Sequence, residues 1–162
     1  MNQRQLVKRC RLEVIASPEN LLLAANKARR GKSRRADIEQ WFLHRESHIL
    51  DLREQLLAET YRPGRYHFFE IREPKRRMIA AAPFRDRVVH HALCNYLAPL
   101  LQKRFSARSF SCQLGKGTTA ARECCRKLTN RYRFVLKCDV AKFFPNIDHR
   151  ILKEKLAPPR AL

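Results

Sequence analysis

Acid is what this sequence lacks. Fifteen Asp and Glu face 35 Lys and Arg, leaving a net charge of +20 on 162 residues. A surface that positive repels itself and calls for an anionic partner. The cysteine spacing of a metal or redox centre is also missing. Cys10, Cys94, Cys112, Cys124, Cys125 and Cys138 form no C-x-x-C pair, and no histidine lies at zinc-ligand spacing from them. Several fall in apolar patterns, which predicts small core residues rather than ligands. No apolar run approaches the roughly 20 residues of a bilayer span, and no signal-type apolar region opens the sequence. A reducing cytoplasm without membrane contact is therefore the expected setting. There are no internal repeats.

What is present reads as one ordinary domain or part of a larger one, with a globular hydrophobic fraction of 44%. The cations are unevenly spread. Between Pro74 and Cys138 fifteen Lys and Arg meet only Asp86 and Glu123. Nucleic acid is the partner this footprint predicts, because each phosphate neutralised releases condensed counterions. An acidic membrane would instead recruit a compact basic tail or an amphipathic anchor, and neither is seen.

Periodicity divides the chain. Ser17-Pro18-Glu19-Asn20 predicts a cap and a short helix through Leu21 to Lys27. Arg29 to Arg35, with Gly31 and Ser33, is a basic connector that could touch phosphate or serve only as a loop. Ile38, Trp41, Phe42, Arg45, Ile49, Leu52 and Leu56 recur at helical spacing, with Asp37 favouring the dipole at the start. Arg62-Pro63-Gly64 stops that period. Tyr66, Phe68, Phe69 and Ile71 then predict a strand, Glu73-Pro74 a turn, and Arg77 to Ala80 the returning strand of a β-hairpin. Helix resumes from Phe84 to Leu101. Gly115-Lys116-Gly117 interrupts, and Thr118 is a candidate cap for a helix to about Asn130. Tyr132 to Asp139 predicts a strand with Phe134, Leu136 and Cys138 on one face and Val135, Lys137 and Asp139 on the other. A last helix passes through Ile151, Leu152 and Leu156, and the paired prolines Pro158-Pro159 end it.

The run Phe134-Val-Leu-Lys-Cys-Asp-Val-Ala-Lys-Phe-Phe-Pro-Asn-Ile-Asp-His149 resembles the first catalytic motif of reverse transcriptases in its bacterial form. Two earlier blocks agree with that family in order: Ile71 to Leu93, similar to its fingers hairpin and following helix, and Ser109 to Ala121, similar to the next block. Together they cover about half the chain. Their wording is nearest to the enzymes of diversity-generating retroelements, with group II intron and retron enzymes as neighbours. The resemblance implies an α+β fold: the fingers and partial palm of a right-hand polymerase, with a helical N-terminus over 1–62, fingers over 63–131, a short incomplete palm sheet beginning in 132–156, and an irregular tail over 157–162.

The family's activity is RNA-directed DNA synthesis on an RNA template and primer, sometimes with a retroelement accessory protein. By the same resemblance Asp139 is the catalytic carboxylate, and with the carbonyl of Val140 it holds Mg²⁺, or Mn²⁺ in its place. Phe144 is the side chain that packs under the sugar and excludes a 2′-hydroxyl, and Phe143 is expected in the core. Lys75 and Arg77 would hold the incoming triphosphate, an assignment that cations at a hairpin tip support on chemical grounds. Arg76 would point to the opposite face. Arg76, Arg85, Arg87 and Lys116 are expected nucleic-acid contacts, although Gly-Lys-Gly lacks the spacing of a P-loop. Asp148 is expected to cap a helix, and His149 to lie at the surface or beside a partner.

The family's second metal-binding motif, aromatic-x-Asp-Asp, has no counterpart, since no Asp-Asp pair occurs in the sequence. Its Gly-rich primer and template block and its thumb are missing too. The expectation is a polymerase fragment, inactive alone, whose last residues arise from a frameshift, a premature stop or an artificial boundary. The alternatives are a non-catalytic basic RNA-binding protein derived from the fingers, and one half of a split polymerase.

Overall fold

The computed structural model describes residues 11–32, 35–72, 74–111, 113 and 115–156. Ser33, Glu73, Cys10, Cys112 and the 157–162 tail, all used in the sequence reading, lie outside them. The chain divides into two compact units, Met1–Leu100 and Leu101–Leu162. The division falls inside a helix, within the 63–131 stretch that the sequence groups with the hairpin.

In the first unit, α1 (Leu12–Ile15) leads into α2 (Pro18–Arg29). Ser17 caps α2 as expected, its Oγ accepting from the Asn20 N–H at 3.3 Å, and Pro18 stands at the helix start, where its missing N–H costs nothing. Gly31, at φ +73° with open space where a Cβ would lie, turns the chain out of α2 in a left-handed conformation. The periodic stretch that follows is two helices rather than one, α3 (Ala36–Leu43) and α4 (Arg45–Leu57), broken at His44 (φ −114°, ψ 27°). Periodicity survives the break because both helices turn their apolar side inward: Ile38 and Trp41 from α3, Ile49 and Leu52 from α4.

The hairpin forms where the sequence puts it. β1 (His67–Ile71) pairs antiparallel with β2 (Arg77–Ala81), in a register that sets Phe69 opposite Ile79 and Ile71 opposite Arg77. Its side chains are largely exposed, including Phe68 and Met78. α5 (Phe84–Gln102) then supplies Phe84, Val88 and Ala92 to a core completed by Leu21, Ala24, Ala25 and Ala28 of α2. Trp41 meets Phe84 edge-on with ring centroids 5.0 Å apart.

Two buried polar groups fasten this core, and both are satisfied. The Asn20 amide donates to the carbonyls of Ile15 (2.7 Å) and Ala92 (3.1 Å), while its oxygen accepts from Asn95 (2.8 Å). Asp86, 2% exposed, accepts from the Tyr61 hydroxyl at 2.6 Å and the Gly64 N–H at 2.8 Å. A Cβ on Gly64 would lie 3.0 Å from Cγ of Pro83, a tight contact that the proline ring would have to yield to.

The second unit holds α6 (Thr118–Thr129), a 3₁₀ turn (Phe144–Asn146) and α7 (His149–Leu156), none with a buried residue. α6 begins after Gly117, and Thr118 is its first residue rather than its cap. Asp148 does cap α7, accepting from the N–H groups of Arg150 (2.7 Å) and Ile151 (3.3 Å).

The strand expected over Tyr132 to Asp139 does not form, and β1 with β2 is the whole sheet among the described residues. The expected start of a palm sheet is corrected accordingly. Alternation alone makes no strand; a ladder needs a second chain segment to take its N–H and C=O groups, and none is paired with this one. Phe134 and Leu136 consequently stand 86% and 87% exposed.

Candidate functional site

The motif segment follows α6. Tyr132, Phe134, Val135 and Leu136 line an open apolar groove with Phe110 and Leu128. Asp139 and Val140 follow, both exposed. The backbone then turns sharply, with Lys142 left-handed at φ 48°, and the Asn146 N–H closes the turn on the carbonyls of Lys142 (3.1 Å) and Phe143 (3.2 Å). Phe144 opens the 3₁₀ turn 81% exposed, its ring edge-on to Phe143 at 5.3 Å. Phe143 is exposed as well, which corrects its expected place in a core.

Among the described residues Asp139 belongs to no group of three or more His, Cys, Asp or Glu that could hold a metal ion. Magnesium nonetheless accepts such a start. It keeps several waters and is held by one or two carboxylates plus substrate phosphates, so an accessible acid followed by a carbonyl matches its chemistry. His149 is the first residue of α7 and is exposed.

In the first unit, Lys75 lies in the bend between β1 and β2, and Arg77 opens β2, both exposed. Arg76 is tied down: its Nε lies 2.7 Å from Glu70, which Arg72 also approaches at 3.7 Å. Arg85 is committed to its own fold. It donates to the side-chain oxygen of Gln55 and to the Arg62 carbonyl (3.4 Å), and lies over the Tyr61 ring at 4.9 Å. Arg87 stacks over Phe84 at 5.3 Å. In the second unit Lys116 is likewise absorbed, clipping its loop by donating to the carbonyls of Ala107 (3.0 Å) and Ser109 (2.9 Å).

The free thiols Cys94, Cys124, Cys125 and Cys138 are exposed or half-exposed, so the reading of cysteines as core residues does not hold for them. Sequence reasoning missed Asp86. Its signal was there, as one of only two acids in a long cationic stretch, and such an acid is kept by specific donors rather than by chance. Beside Asp86, burial and then the carboxylate itself push the Tyr61 phenol well above its ordinary range.

No helix among the described residues is long and apolar enough to cross a membrane. No protein-family model matches the chain, and no curated protein matches it.

Proposed function

We propose that this chain is the fingers and first catalytic segment of an RNA-directed DNA polymerase of bacterial retroelement type. The observation that carries the proposal is the run Phe134 to His149, with Asp139 accessible, a turn after it and the exposed Phe144 next. The hairpin with Lys75 and Arg77 at its tip supports it, as does the excess of cations along the chain.

In this reading Asp139 and the Val140 carbonyl would hold one of the two magnesium ions that an in-line displacement at a nucleotide's α-phosphate uses, and the ion would supply positive charge to the phosphate oxygens. Lys75 and Arg77 grip the triphosphate and align it, one as a mobile point charge and the other as a planar fork. Phe144 closes the space that a 2′-hydroxyl would need. RNA template and primer supply the phosphates that the basic surface neutralises.

The second carboxylate motif is not in this sequence, so activity requires a further segment bearing it. Primer extension with the downstream coding region supplied in cis or in trans tests the reading. Extension that falls about a hundredfold or more in Asp139→Ala supports it, since a metal ligand contributes several kcal/mol to the transition state. Extension at the unaltered rate in Asp139→Ala sinks it. The lack of an Asp-Asp pair favours a second reading, a basic RNA-binding protein without chemistry. That reading predicts steeply salt-dependent RNA affinity that Asp139→Ala leaves intact, and no extension with any added segment.

A further inference from the structure

The basic connector after α2 has no part in the polymerase reading, yet its cations belong with one face of α5. Arg87, His91 and Asn95 recur on that face at four-residue spacing. Lys27, near the end of α2, reaches it by donating to Asn95 Oδ1 at 2.6 Å. Arg29 lays its guanidinium over Phe42 at 4.5 Å and Arg87 lays its own over Phe84 at 5.3 Å, with the two rings 6.0 Å apart. Two planar cations thus stand on neighbouring rings. Stacking occupies the guanidinium faces and leaves the in-plane N–H edges for an acceptor. Nε of Arg29 and Nε of Arg87 are both buried without a hydrogen-bond partner among the described residues. A buried donor left unpaired is destabilising and calls for an explanation, a nearby water or ion among them.

The surrounding charge has one dominant sign. Burial, then Arg35, hold Arg87 below its ordinary range; Asp37 opposes this, but Arg35 already grips Asp37 with bonds of 3.0 and 3.1 Å. Burial comes first for His91 as well, followed by Lys27, His90, Arg87 and Lys32, all of which depress it. Cations gathered this closely, on stacked and partly buried stems, suit a multivalent oxyanion better than bulk water.

We infer that Arg29, Arg87 and His91 form the floor of a phosphate-binding site, rimmed by Lys27 and Lys32. The site lies in the first unit, outside the segment that carries Asp139, and does not depend on the polymerase reading. Its ligand is a phosphate oxyanion, from the backbone of a nucleic-acid strand or from a free phosphate.

The full chain tests both sources. The His91 imidazole is titrated by NMR alone, with inorganic phosphate, and with a single-stranded RNA oligonucleotide; RNA affinity is measured by anisotropy across a salt series. A bound phosphate stabilises the imidazolium, so it raises the His91 midpoint, and affinity for RNA, whose phosphodiesters do not titrate there, rises as pH falls through the imidazole range. Arg29→Met with Arg87→Met, which keeps apolar stems on the rings, is expected to weaken RNA binding roughly tenfold or more and to flatten the salt slope by about 0.7 for each phosphate no longer neutralised. His91→Gln is expected to remove the pH dependence. Phosphate that moves His91 while the RNA salt slope stays fixed in the double variant assigns the site to free phosphate. If neither ligand moves His91 in the unaltered protein, the inference is overturned, whatever the folding of the variants.

Discussion

The two units carry similar charge and very different interiors. Met1–Leu100 holds every residue buried among those described, with five helices contributing to a core that includes Ile15, Leu21, Ile38, Leu52 and Val88. Leu101–Leu162 holds none, although it contains Phe134, Leu136, Phe144, Ile151 and Leu152. Apolar content therefore does not decide which part of this chain has a core. What decides is whether a second element turns an apolar face toward the first. Helices of twelve and eight residues are marginal alone in water, and α6 and α7 bury no residue, so the second unit lacks the tertiary burial that stabilises the first.

That contrast can be broken by mutation. Leu21→Ala, at a fully buried site, is expected to destabilise the first unit by about 2–5 kcal/mol in denaturant unfolding, whereas Leu136→Ala, at an exposed one, should stay within about 0.5 kcal/mol. Equal effects would mean that the second unit has a core after all.

A smaller effect comes from Tyr61. The native fold raises its phenol above the ordinary value near 10, so it keeps its proton at a pH where an unfolded tyrosine releases it. Its contribution is complete below about pH 10 and declines as pH rises beyond that. Tyr61→Phe should flatten this alkaline loss in melting temperature, while leaving the Gly64 contact to Asp86 in place. The smallest effect is expected in α6. Glu123 pairs with Arg126 at 2.9 Å and Lys127 at 3.8 Å on an open surface, and Glu123→Gln should leave the unfolding midpoint unmoved.

The hairpin was legible because its determinants are local: alternation in Tyr66 to Ile71, a turn, and a return over Arg77 to Ala80. The caps at Ser17 and Asp148 were legible for the same reason. The break at His44 was not, since both flanking helices keep the same periodicity across it. Tyr132 to Asp139 misled because pairing is decided by another segment and cannot be seen in the strand's own pattern. Among the cations, sequence could count charge but not tell tethered from available. Arg85 is held by Gln55 and the Arg62 carbonyl, and Lys116 by the carbonyls of Ala107 and Ser109, partners that only the folded chain brings within reach. Arg29 and Arg87, by contrast, find rings rather than oxygens.

Gly31 offers one more lever. Its backbone is left-handed, so ordinary alanine would be strained there while the mirror-image amino acid favours that conformation. D-Alanine at position 31, introduced by chemical ligation, narrows the choices of the denatured chain and should raise stability by about 0.4–1 kcal/mol. The arc from Arg29 to Lys32 would stiffen without any change in its charge.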